Sequence, residues 1–91
     1  MRVVDPSLPG AELVAAGLED LRRGNDTIEA LVVSMAATRL RDLGFDVPAA
    51  QEDPEHRLWR RLAGEEADGA HSRYNALVRR LVSFQHAACV T

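Results

Sequence analysis

The chain has 91 residues, 46% of them hydrophobic and 27% charged, with a net charge of −3. It is too apolar for a disordered tail and too short for more than one ordinary domain, so a single domain over 1–91 is expected. The acidic balance argues against a dedicated nucleic-acid-binding domain, and Cys89, the single cysteine, excludes an intramolecular disulfide or a thiolate metal cage within one chain.

Only Phe45, Trp59, Tyr74 and Phe84 are aromatic, so the core must be aliphatic, built from Leu, Val and fourteen Ala. That composition favours close-packed helices over a β-sandwich. All eleven basic residues are Arg, as a GC-rich, bacterial-like coding sequence would give. Residues 1–53 carry five Arg against ten acids, and residues 54–91 carry six Arg against four. The acidic first half is therefore expected to face the basic second half, within the fold or across a dimer.

Taken in order, Met1 to Ser7 reads as an irregular or extended lead-in, because Pro6 and Pro9 restrict the backbone and remove donors. It lacks the apolar core of a secretion signal, and no apolar run approaches the ~18 residues of a membrane span. A soluble, cytoplasmic protein is the expectation. A first helix is predicted over 8–23, with Ser7 as N-cap and a stripe of Leu13, Val14, Gly17, Leu18 and Leu21. The link Gly24-Asn25-Asp26 is short enough to force an antiparallel hairpin with the next helix.

That second helix, 27–43, carries the clearest signals in the chain. Asp26 and Glu29 have the spacing of a capping box, and Gly44 followed by Pro48 marks the end. Ile28, Leu31, Val32, Met35, Ala36, Leu40 and Leu43 recur at steps of three and four and form the expected core face. Ala30, Ser34, Ala37 and Thr38 are small enough to admit a second neighbour, which makes this a central helix touched on two sides. Arg39 falls inside the apolar arc. It either snorkels outward from the last turn or forms a buried ion pair with a carboxylate.

Phe45 and Val47 are read as anchors of a loop that ends at Asp53-Pro54, a cap followed by a first-turn proline. A third helix is predicted over 54–63, with Leu58, Trp59, Leu62 and Ala63 inward and Arg57, Arg60 and Arg61 outward. From Ala63 to Ala88 the apolar positions step 4-3-4-3-4-3-4 straight through Gly64 and Gly69. One unbroken helix from Pro54 to Ala88 would be about 50 Å long, so a break is expected near Gly64 to Gly69, followed by a last helix over 70–88. Val78 and Val82 widen the apolar arc of that helix beyond what one neighbour needs. The fold class is thus all-α, a small bundle of about four helices.

The search for chemistry finds little. Asp53/His56 and Asp68/His71 share the i,i+3 spacing of carboxylate-bridged metal sites, but no core glutamates accompany them and each Asp reads better as an N-cap. Cys89 with His86 lies at a terminal turn that offers no pocket. No phosphate loop or nucleophile elbow is present. Neither an enzyme nor a cofactor is expected. Two readings remain. The first is a protein–protein interaction or regulatory module, a homodimer or the partner of another protein, with Tyr74, Val78, Leu81 and Val82 as its interface. The second is a nucleic-acid-binding regulator, or a binder of an acidic partner, using Arg57, Arg60, Arg61, Arg73 and Arg80.

Overall fold

A computed structural model of the chain describes residues 2–90, so Met1 and Thr91 of the expected domain lie outside the described residues. Among the described residues there are five helices and no strand: α1 (Ala11–Arg22), α2 (Ile28–Met35), α3 (Ala37–Asp42), α4 (Pro54–Glu65) and α5 (Ala70–Val90). The architecture is the expected all-α bundle. The break between α4 and α5 falls where the two glycines place it, and the molecule is only 37 Å in its longest dimension, too short for a continuous Pro54–Ala88 rod.

Local chemistry sets the helix starts, and three of the expected side-chain caps are not made: those of Ser7, of Asp26 and, at φ 46° before α4, of Asp53. Gly10, not Ser7, precedes α1 in the left-handed region at φ 74°, and a Cβ there would lie 2.5 Å from the Arg80 carbonyl oxygen of α5. Ser7 instead donates its N–H and hydroxyl to Asp5, at 2.9 and 2.8 Å. Those bonds, the backbone one first, hold the Asp5 carboxyl below its ordinary pKa. Thr27, not Asp26, caps α2. Its Oγ1 accepts from the Ala30 N–H at 3.1 Å and donates to Asp20 at 2.6 Å. Asp26 is drawn away to Arg57 of α4, at 2.7 Å, and towards Arg61, at 3.8 Å.

The α1–α2 contact is close because Gly17 permits it. A Cβ at that position would stand 2.3 Å from the Val33 side chain and 2.5 Å from the Glu29 carbonyl oxygen. With α1, α4 and α5 all packed against it, α2 is buried around its whole circumference: Ala30, Leu31, Val32, Val33 and Ser34 have almost no exposed surface. The expectation of a central helix holds, with Ala30, Ser34 and Ala37 of its small face covered and only Thr38 exposed.

The expected single helix over 27–43 does not. Ala36, at φ −108° and ψ 16°, interrupts it, and a separate α3 begins at Ala37. No Pro or Gly marks the break. On the predicted core face Leu31, Val32, Ala36 and Leu40 are buried, whereas Ile28, Met35 and Leu43 are only half-buried. Arg39 turns outward and is exposed, so the buried ion pair considered for it is not formed. Its guanidinium reaches Cys89 Sγ at 3.8 Å.

Polar side chains tie down the ends of the bundle and the loop after α3. Arg2 donates to the carbonyls of Leu43 at 3.0 Å and Ala88 at 2.8 Å, and lies 4.9 Å from the centre of the Phe45 ring. A cation placed on the last carbonyls of two helices complements both dipoles. The lead-in is pinned further by Arg2 N–H to Gly44 and one isolated bridge to Phe45, which stacks obliquely on Phe84 at 5.6 Å. The loop after α3 is fixed by Arg41 to the carbonyls of Val47 and Pro48, and by the Gln51 N–H to the buried Ser34 Oγ at 2.9 Å.

The charge asymmetry between halves is resolved largely within the chain. Arg57 and Arg61 meet Asp26, and Arg80 approaches Glu12 at 3.9 Å, each joining the basic half to the acidic one. Such exposed pairs contribute at most about 1 kcal/mol each, so they orient the packing more than they sustain it.

Candidate protein interface

The inward side of α4 is a single line, Leu58 and Leu62, both fully buried. Trp59 lies about 100° round the helix from Leu58 and cannot share that line. It was expected inward; it is 41% exposed. Its ring stands on α5, edge-on to His71 at 6.2 Å and to Tyr74 at 6.1 Å. These edge contacts hold the indole in place while leaving one side open.

On α5 the buried residues are Ala70, Leu81, Phe84 and Ala88. Between Ala70 and Leu81 nothing is fully buried, so the first half of the helix is thinly covered. Tyr74, Val78 and Val82 follow at steps of four, each about 40° further round, and form a slowly turning line that continues from Trp59. Tyr74 and Val78 are half-buried and Val82 is 39% exposed. Leu81, expected in the same interface, is 5% exposed and packed in its own core, its azimuth within about 20° of the buried Ala88. It is removed from the candidate surface, and Trp59 takes its place.

One end of this strip opens into a surface depression of about 390 Å³ lined by Asp53, Glu55, His56, Trp59 and Tyr74. Partial burial raises the Tyr74 pKa above its ordinary value, and the negative charge of Glu55 adds to the effect. Past the other end, Cys89 and Arg39 meet.

The arginines nominated for nucleic acid are mostly engaged elsewhere. Arg57 binds Asp26, Gln51 and the Glu52 carbonyl; Arg61 donates to the Asp26 backbone carbonyl; Arg73 pairs with Glu65 at 2.9 Å; Arg80 lies by Glu12. Arg60 borders the same shallow depression as Arg57 and Arg61, beside Asp26 and Leu31. The structure therefore brings Arg57, Arg60 and Arg61 together around an aspartate, not along an open basic face. Asp53 takes a left-handed conformation without a side-chain cap bond, His71 is bonded to Asn75 at 3.2 Å, and no cluster of three metal-ligating side chains occurs among the described residues.

No described helix is long and apolar enough to cross a membrane. Comparison of the chain with protein-family models, curated proteins and solved structures returned no match.

Proposed function

We propose that this chain is a small protein–protein interaction module whose docking surface is the strip Trp59, Tyr74, Val78 and Val82. The observation that carries the reading is the exposed indole of Trp59. A large aromatic held edge-on by two neighbours, open on one side and continuous with half-covered aliphatic residues, has the make-up of an interface anchor: much apolar area and little side-chain freedom left to lose on binding. The same strip is what an isolated small domain would otherwise cover. Its one exposed thiol fits a reducing cytoplasm as the place of action. The nucleic-acid reading is weaker, because four of its five arginines already serve acids or carbonyls of the same chain.

A photo-crosslinking residue at position 82, compared in cells with the same residue at exposed position 23 just after α1, tests the proposal. Discrete protein adducts at 82 and not at 23 are expected. Equal labelling at both positions, or none at 82, overturns it.

A further inference from the structure

We infer that the strip is covered by a second copy of this chain, laid antiparallel along α5 about a twofold axis near Leu81 and Val82; the inference rests on the interaction reading above. The strip carries opposite charges at its two ends. At the Trp59–Tyr74 end stand Asp53 and Glu55, which share the depression with both rings. Cys89 returns to the same side of α5, about 22 Å further along the helix axis, with His86 one turn before it. There the exposed Arg39 guanidinium sits 3.8 Å from Sγ.

Neither end is neutralised within its own chain. Among the described residues Arg39 has no carboxylate within ion-pair distance, and Asp53 and Glu55 have no cation within it. An antiparallel twofold lays Tyr74 of one copy opposite Cys89 of the other, so each acidic end meets a basic end and the match is made twice. Val82 then meets its own copy at the axis. A parallel pairing would set Arg39 against Arg39 and leave both acidic ends together. Arg79 lies about 80° round the helix from the contact line and stays in solvent.

The exposed apolar area is a few hundred Å² per chain, below the roughly 800 Å² a side of a standard stable interface, so the dimer forms with Kd on the order of 10–100 µM. Charge then has enough influence to be measured. Sedimentation equilibrium of the full chain up to about 300 µM is the test. Wild type is expected to dimerise. Arg39→Glu and Glu55→Arg, both at exposed positions, should each weaken the dimer by about tenfold, and the two together should restore it to within about threefold. A dimer indifferent to the charge swaps, or not restored by the double swap, overturns the antiparallel register. A wild-type monomer whose position 82 still crosslinks to other proteins overturns the second copy and leaves the interaction module standing. A monomer without such crosslinks overturns both, and a dimer that survives Val78→Glu with Val82→Glu in a folded chain overturns the second copy on this strip.

Discussion

The two helical hairpins of this molecule are built differently. In the first, α1 and α2 approach so closely that a single added carbon at Gly17 would collide with both a side chain and the backbone, and α2 has no face left for solvent. In the second, α4 contributes one buried line, α5 has no fully buried residue from His71 to Arg80, and the largest side chain of the pair is 41% exposed. The glycines express the same contrast: a Cβ at Gly64 of α4 would meet nothing within 4 Å. The first hairpin holds the fold, and the second is held by it while keeping a side free.

Substituting both glycines measures that difference most directly. Gly17→Ala forces α1 and α2 apart and is expected to cost about 3 kcal/mol, the upper part of the range for overpacking a filled core. Gly64→Ala adds a methyl into open space inside a helix and should stabilise by about 0.5–1 kcal/mol. Chemical denaturation of the two variants decides the matter. Similar free energies for both would erase the distinction between a tight and a loose hairpin.

A smaller effect tests how the tight hairpin reaches the loop. Ser34 Oγ donates to the Ala30 carbonyl at 2.8 Å and accepts from the Gln51 N–H, so one buried hydroxyl ties the loop after α3 to the central helix. Ser34→Ala leaves that N–H without its partner at a cost of about 1–2 kcal/mol. Faster amide exchange at Gln51, with little change in α4 or α5, is the expected signature. Exchange that rises throughout α5 instead would show that the two hairpins are not separable in this way.

The sequence carried most of the architecture, and its failures have separate causes. Helix class, the hairpin link, the proline start of α4 and the break before α5 all follow from local signals that no tertiary contact opposes. Ser7 and Asp26 failed as caps because tertiary or loop partners competed for them: Asp5 accepts from Ser7, and Arg57 takes Asp26. The interruption at Ala36 leaves no residue-level mark, and Met35 and Leu43 on either side of it are only half-buried. The strip itself was half legible. Tyr74, Val78 and Val82 follow from an arc wider than one neighbour requires, whereas Trp59 was assigned inward on hydrophobicity although its azimuth differs from that of Leu58 and Leu62. Arg2 carries no signal of its role. Its partners are the end carbonyls of α3 and α5, 41 and 86 residues away.

The weakest effect bears on the surface itself, because Tyr74 is the only tyrosine and reports on the open hairpin without a label. Its phenol is shielded from water by its neighbours, and Glu55 adds a like charge to the phenolate that would form, so both causes favour the neutral form and raise its pKa above 10.0. The folded value exceeds the unfolded one. The associated stability is therefore fully present below about pH 10 and is lost as the pH rises through the folded value. Ultraviolet titration at about 1 µM, well below the Kd inferred for the dimer, should place the wild-type midpoint above that of a free tyrosine. Trp59→Ala should lower the midpoint more than Glu55→Gln, since desolvation is the larger cause. A midpoint unmoved by Trp59→Ala would mean that the indole does not cover Tyr74, and the strip would then lack the aromatic anchor on which its docking depends.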